Sequence, residues 1–208
     1  MTGAAAGSGE GIEEREVKLA VAADFVLPSL SGLDGVTAVD AGEELQRAVY
    51  WDTDDLALAH AGVGVRHRNG IWTFKGLSRR DGDAVVREEL EVAAPAHTIT
   101  PVVSSRLERW VDTSSLHPVA SLDTLRHRMD VTDGSLRAEL VHDRVSVLDG
   151  SRVVARFAEV EVEYTAEGRT LADRLVRLMV ASGAVVDATP KYLRALRALG
   201  HEPPDMSL

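Results

Sequence analysis

The sequence predicts an α+β fold: an antiparallel sheet or closed β-barrel of about eight strands with a few flanking helices. Three observations lead there. Short segments of alternating apolar and polar residues dominate the chain. The turn dipeptides Asn69-Gly70, Asp81-Gly82, Asp133-Gly134 and Asp149-Gly150 join successive segments directly, so sequence neighbours pair as hairpins. Helical spacing is confined to a few stretches, which argues against a doubly wound parallel sheet.

Taken in order, Glu14-Arg15-Glu16-Val17-Lys18 opens the first strand. Side chains at i, i+2 and i+4 of a strand share a face, so Glu14, Glu16 and Lys18 point one way and Val17 and Leu19 the other. Residues 24–33, with Pro28 and Gly32, read as a short helix or turn. Residues 45–50 lead into Trp51-Asp52-Thr53, and Ala61-Gly62 breaks the chain. Residues 63–67 and 71–75 flank Asn69-Gly70 and form the strongest hairpin. A strand over 84–92 follows. Thr100 as N-cap and Pro101 at the first helical position, with Val102, Leu107 and Val111, predict a helix. Strand patterns return over 122–132, 136–143, 144–148 and 152–164. Leu171, Leu175, Leu178 and Met179 make a helical core stripe, and residues 192–199 a last helix.

At 208 residues the chain suits one domain. Residues 1–12 read as a disordered lead-in, 13–200 as the domain, and 201–208, with Pro203-Pro204, as a tail or linker. Hydrophobic residues at 45% and charged residues at 27% are a globular composition, and no apolar run is long enough for a membrane helix. The lead-in lacks the basic start and apolar core of a signal peptide. The absence of Cys excludes disulfides and thiolate chemistry and fits a reducing cytoplasm, the expected location. The seven His are scattered, so any metal should be hard and oxygen-ligated. A net charge of −10 argues against a nucleic-acid or anionic-membrane surface. A polyanion would have to bind in a local pocket.

The strand faces are sorted. Arg66 and Arg68 oppose Val63 and Val65, Thr73 and Lys75 oppose Trp72 and Phe74, and Arg87, Glu89 and Glu91 oppose Val86, Leu90 and Val92. Arg126, Arg128 and Asp130 oppose Leu125, Met129 and Val131, and Glu159, Glu161 and Glu163 oppose Val160 and Val162. Solvated faces mix in Ser, Thr, Gln and Lys, whereas these are blocks of Arg and Glu. Clustered Arg repels itself unless an anion is present, and its fork suits phosphate. If these faces line a barrel, they make a tunnel with cations for phosphate and carboxylates for metal.

These segments resemble, in order, the motifs of the CYTH or triphosphate tunnel metalloenzyme superfamily. Glu14, Glu16 and Lys18 are similar to its Glu-x-Glu-x-Lys opening, Tyr50-Trp51-Asp52-Thr53 to its Tyr-Tyr-Asp-Thr, and Val65-Arg66-His67-Arg68 to its Leu-Arg-x-Arg strand. Thr73-Phe74-Lys75 resembles its Thr-x-Lys, Arg87-Glu88-Glu89 its Arg-x-Glu, and residues 125–128 its later basic strand. Asp143 resembles its acid before a hairpin, Glu159 to Glu163 its Glu-x-Glu-x-Glu, and Lys191 its C-terminal lysine. The resemblance covers residues 14–199. Thr189-Pro190 stands where many relatives have Ser, and Trp51 replaces the second Tyr; neither departure removes a charge.

The resemblance implies an eight-stranded antiparallel tunnel holding a triphosphate lengthwise, with in-line water attack on its terminal phosphoryl. Lys18, Arg66, Arg68, Lys75, Arg87, Arg126, Arg128 and Lys191 would bind phosphate, and Glu14, Glu16, Glu159, Glu161 and Glu163 would hold Mg²⁺ or Mn²⁺. Glu14, Glu16, Lys18, Arg66, Arg68 and Lys75 would be the catalytic set, with Glu89 and Asp143 as secondary candidates. Inorganic triphosphate is the expected substrate; thiamine triphosphate hydrolysis, adenylate cyclisation and non-catalytic polyphosphate binding are the competing readings. Relatives also carry a helical CHAD domain, the expected companion in any longer parent chain.

Overall fold

The computed structural model describes residues 11–204. Its elements, in chain order, are β1 (Ile12–Val21), β2 (Thr37–Asp52), α1 (Ala57–Ala61), β3 (Gly64–Arg68), β4 (Ile71–Lys75), β5 (Arg79–Asp81) and β6 (Ala84–Ala93). There follow α2 (Pro101–Leu107), β7 (His117–Thr132), β8 (Arg137–Asp149), β9 (Arg152–Tyr164), α3 (Arg169–Ala181), β10 (Val185–Val186) and α4 (Lys191–Ala198). All pairings are antiparallel, and the order β1-β9-β8-β7-β2-β3-β4-β6 closes because β6 pairs back onto β1. This is the expected eight-stranded barrel. The short strands β5 and β10 add to β6 and β1 outside the ring.

Local chemistry sets the hairpins. Asn69 and Gly70 both take positive φ, 50° and 82°, a two-residue turn whose twist matches the flanking strands. Gly62 ends α1 at φ 74°, and its N–H bonds back to Ala59 O. Ahead of α1, the buried Asp52 carboxylate accepts from the backbone N–H groups of Thr53, Leu58 and Ala59 at 2.8–2.9 Å. Thr100 caps α2 through Val103 N, with Pro101 next, as the sequence predicts.

The apolar strand faces point outward under the helices. Val63, Val65, Trp72, Phe74 and Leu90 pack against Leu58 of α1 and Val103 and Leu107 of α2. Val17, Leu19, Leu140, Val160 and Val162 pack beneath Leu171, Leu175 and Met179 of α3. A third cluster lies at one end of the interior itself: Ala48, Tyr50, Ala120, Leu122, Val145 and Val147 meet Leu193 and Leu196 of α4. That end of the barrel is apolar and capped by α4.

Some expectations need correction. The two strands expected over 136–143 and 144–148 are one, Arg137–Asp149, because β8 pairs without interruption with β7 from Arg137 to Leu148, so no break falls at Arg144. The helix α2 ends at Leu107, before Val111, and buries Val103 while Val102 is 40% exposed. β2 begins at Thr37, carried through a bulge between Asp40 and Gly42. β1 begins at Ile12, inside the expected lead-in. The rest of the lead-in, residues 1–10, and residues 205–208 of the tail lie outside the described residues.

Candidate functional site

A cavity of about 1140 Å³ occupies the barrel. Its wall is built from inward members of the alternating strands: Glu14, Glu16 and Lys18 of β1, Glu44, Gln46 and Tyr50 of β2, Arg66 and Arg68 of β3, Lys75 of β4, and Arg87, Glu89 and Glu91 of β6. Arg126 and Arg128 of β7, Glu139 of β8, Glu161 and Glu163 of β9, and Lys191 and Tyr192 at the start of α4 complete it. Of the sequence-predicted residues only Asp143 and Glu159 are not on the wall. They are 0% and 1% exposed and are covered by Lys191, which contacts both at 2.7 Å.

Five cations are committed to carboxylates. Arg87 reaches Glu14 at 2.8 Å, Glu16 at 2.7 Å and Glu89 at 2.8 Å. Lys75 pairs with Glu89 and lies 3.9 Å from Glu14. Lys18 pairs with Glu161 and Glu16, the latter at 2.9 Å. Arg126 forks onto both oxygens of Asp143 at 2.9 and 2.7 Å and also reaches Glu161 at 2.8 Å. Lys191 contacts Asp143 and Glu159 at 2.7 Å and Glu161 at 2.8 Å. Burial alone would neutralise such groups; at Glu16, Glu89, Asp143 and Glu161 the partners outweigh it, whereas burial keeps Glu159 raised despite Lys191 and Lys18. Burial opposes ionisation of Glu161, yet Lys18, Lys191 and Arg126 hold its carboxyl well below the usual range. Burial likewise opposes the charge on Lys191, and Asp143, Glu159 and Glu161 keep it protonated.

Two inward carboxylates on the wall have raised pKa values, burial being the larger cause and neighbouring carboxylates the smaller. Burial pushes Glu14 up to about 8, with Glu16 adding repulsion against the pull of Lys75. Burial, then Glu161 and Glu16, push Glu163 up to about 7, and Glu163 makes no ion pair among the described residues. Glu14, Glu16 and Glu163 bring carboxylate oxygens within 4.8 Å of one another. Converging, charge-frustrated oxygens of this kind fit a hard divalent cation, which takes oxygen ligands and needs negative charge. The five ligands expected together therefore separate: Glu14, Glu16 and Glu163 form one cluster on the wall, while Glu159 and Glu161 join Asp143 in a deeper one.

Arg66 and Arg68 are placed oppositely. Arg66 is 9% exposed, donates to Thr73 Oγ1 at 3.3 Å, and its Nε has no hydrogen-bond partner. Arg68 donates to Gln46 Oε1 at 2.7 Å. Burial and repulsion from Arg66 and Arg126 depress its pKa. Among the described residues neither has a carboxylate within ion-pair distance. Arg128 is half exposed at the cavity edge, loosely paired with Glu139 at 3.5 Å and Asp130 at 3.8 Å. Glu91 lines the cavity while accepting from Thr73 at 3.2 Å.

Sequence reasoning missed Gln46 and Glu139 as parts of the site. Gln46 shares its parity with Tyr50 on β2 and Glu139 with Asp143 on β8, which is the signal that places them inward. Tyr192 was also missed; it stacks on Tyr50 at 5.5 Å and donates to Val63 O at 3.2 Å, fixing the start of α4 beside β2 and β3. His67 shares a 3.1 Å hydrogen bond with Ala94 O and packs on Trp72, outside the barrel. Arg15 and Glu88 pair outside too, with Asp81 and Arg106.

Fold and site together define a closed β-barrel with a zwitterionic interior, suited to hold a polyanion and a cation at once. The chain belongs to the CYTH domain family, whose model matches residues 13–185. Solved structures share the fold. An adenylate cyclase candidate from Bacillus halodurans is 21% identical, with 86% of this chain and 95% of that one covered at a TM-score of 0.55. An adenylyl cyclase candidate from Hippeastrum, described as having a dominant triphosphatase activity, is 16% identical over 92% and 98% at 0.53. A protein from Pyrococcus horikoshii is 16% identical over 88% and 98% at 0.50. No curated protein matches the chain. Among the described residues no helix is long and apolar enough to cross a membrane.

Proposed function

We propose that the protein hydrolyses the terminal phosphoryl of a triphosphate inside the barrel, with Mg²⁺ or Mn²⁺, and that inorganic tripolyphosphate is its substrate. The observation that carries this reading is the segregation of uncompensated charge. Among the described residues Arg66 and Arg68 on β3 have no carboxylate within ion-pair distance and Glu163 on β9 has no cation, while burial and Glu16 raise Glu14 in the same carboxylate cluster; β3 lies four places round the ring from β9. A triphosphate supplies the missing negative charge at one wall and a divalent cation the missing positive charge at the other.

The chain's own residues then have distinct tasks. Arg66 and Arg68 bind and orient the phosphates and neutralise charge that builds on the phosphoryl oxygens as the bond breaks. Lys18, Lys75, Arg87, Arg126 and Lys191 keep Glu16, Glu89, Asp143 and Glu161 ionised and offer their remaining N–H groups to the cavity. Glu14, Glu16 and Glu163 would hold the cation, which when bound supplies Lewis-acid charge to the phosphoryl oxygens. Water adds to the terminal phosphorus as its bond to the bridging oxygen breaks, so diphosphate and orthophosphate leave in equal amounts. The aromatic side chains on the cavity wall are Tyr50 and Tyr192, and they stack on each other, so they do not stand apart as a pair that could sandwich a base or a thiazole. This favours an inorganic substrate. The triphosphatase activity described for the Hippeastrum protein supports the same reaction class.

The test is phosphate release from tripolyphosphate, thiamine triphosphate and ATP, each with Mg²⁺, Mn²⁺ or chelator. Tripolyphosphate should turn over fastest, and chelator should abolish the reaction. Faster turnover of an organic triphosphate would move the assignment to that substrate. No turnover of any, combined with tight polyphosphate binding, would make the protein a non-catalytic binder.

A further inference from the structure

We infer that Gln46 and Thr73 are positioning residues that act as neutral spacers: each ties one of the arginines Arg68 and Arg66 to a carboxylate at one remove, so that the guanidinium is aimed at the cavity without being neutralised. The two arrangements are built alike on different strands. On one side Arg68 Nη1 donates to Gln46 Oε1 at 2.7 Å, and Gln46 Nε2 donates to Glu44 at 3.4 Å. On the other, Arg66 Nη2 donates to Thr73 Oγ1 at 3.3 Å, and that hydroxyl donates to Glu91 at 3.2 Å. Strand register makes the second row, since Arg66 of β3 stands opposite Thr73 of β4, and Thr73 opposite Glu91 of β6. Both spacers are buried.

Donor and acceptor chemistry fixes the direction of each contact. A hydroxyl has one hydrogen, and Thr73 gives it to Glu91, so its oxygen is left to accept from Arg66. A side-chain amide has a donor end and an acceptor end, and the bond from Nε2 to Glu44 turns Oε1 towards Arg68. Asn69 Nδ2 donates to the other oxygen of Glu44 at 3.3 Å and steadies that carboxylate. A carboxylate in place of either spacer would pair with its arginine, as Glu14, Glu16 and Glu89 pair with Arg87. A neutral acceptor takes one N–H of the fork and leaves the charge and the other donors for phosphate oxygens. Arg66 Nε, buried and without a hydrogen-bond partner, is one such donor. The uncompensated charge shows at Arg68, which burial and then repulsion from Arg66 and Arg126 hold below its ordinary value.

This inference rests on the triphosphate reading proposed above, and Gln46→Glu separates the two. The substitution keeps the side chain's shape and an acceptor oxygen facing Arg68, and it brings a negative charge against the guanidinium. Tripolyphosphate affinity, read by isothermal titration calorimetry in chelator, should fall by roughly 10- to 150-fold, the range for losing charge-assisted hydrogen bonds, and KM with Mg²⁺ should rise in step. The melting temperature should stay at or above that of wild type, because the variant gains an ion pair. Thr73→Val keeps the size and removes the acceptor, so it should weaken binding as well, and Thr73→Ser should restore it. Wild-type affinity in Gln46→Glu, or a melting temperature well below wild type, overturns the spacer role and leaves the triphosphate reading standing. Equal affinity in Thr73→Val and Thr73→Ser overturns the role of Thr73. If Thr73→Val does not fold, Gln46→Glu decides alone. A wild-type protein that neither binds nor hydrolyses tripolyphosphate overturns the triphosphate reading, and this inference with it.

Discussion

Arg66 and Arg87 are both buried and both inward, yet the structure gives them opposite duties, and paired substitutions expose the difference. Arg87 touches three carboxylates, at 2.7–2.8 Å. Arg66 touches only the Thr73 hydroxyl, at 3.3 Å. Arg87→Ala takes one cation from each of Glu14, Glu16 and Glu89, leaving Glu14 with Lys75 at 3.9 Å, and breaking a buried ion pair costs about 3–5 kcal/mol. At roughly 2–4 °C per kcal/mol for a domain of this size, the melting temperature should fall by about 6–20 °C. Arg66→Ala removes no ion pair and relieves its repulsion of Arg68. Its melting temperature should stay within about 3 °C of wild type, while loss of charge-assisted bonds worth about 1.5–3 kcal/mol lowers kcat/KM for tripolyphosphate by roughly 10- to 150-fold. Calorimetry and phosphate release on the same preparations read both quantities. If Arg66→Ala melts as low as Arg87→Ala, or hydrolyses tripolyphosphate at the wild-type rate, the division into structural and anion-binding cations is wrong.

Other expectations follow from the same contacts. Glu14 at about 8 and Glu163 at about 7 lie above their ordinary value of 4.5, so the metal-free fold prefers them protonated. That stabilisation is complete below about pH 4.5 and is lost as pH rises through 7 and 8. Melting of the chelated protein should therefore drop between pH 6 and pH 9, Mg²⁺ should reduce the drop, and Mg²⁺ affinity should rise over the same interval; a flat profile counts against the carboxylate cluster. Trp72→Ala empties the centre of the outer core over α1 and α2, where Trp72 is 0% exposed, and should cost about 3–5 kcal/mol in denaturant melts. Asp52→Ala leaves the N–H groups of Leu58 and Ala59 unpaired and should cost about 1–3 kcal/mol; a change below 0.5 kcal/mol would show the cap to be dispensable.

The barrel was legible because period-two patterning and hairpin dipeptides are local signals. Asn69-Gly70 fixed the β3–β4 register, and the inward set of β1, β3, β4, β6 and β9 could be read from alternation alone. What alternation cannot read is depth and partnership. Glu159, Glu161 and Glu163 share one face of β9, yet Glu163 faces the cavity with no ion pair among the described residues, Glu161 is held by three cations, and Glu159 is buried against Lys191. Those differences arise from strands far apart in sequence. The same limit hid the freedom of Arg66 and Arg68, which depends on what β2 and β4 place beside them. The bulge at Asp40 and Gly42 broke the alternation of β2 and concealed its first half. The five-residue α1 and the two- and three-residue strands β10 and β5 are too short to show a period.

The most direct measurement of the central claim is a ³¹P spectrum of tripolyphosphate incubated with the protein and Mg²⁺. The account predicts loss of the terminal and central tripolyphosphate signals with equal appearance of orthophosphate and diphosphate, and no change once Mg²⁺ is chelated. Persistence of the tripolyphosphate signals with Mg²⁺ present, or hydrolysis that continues at the same rate without it, would contradict the account.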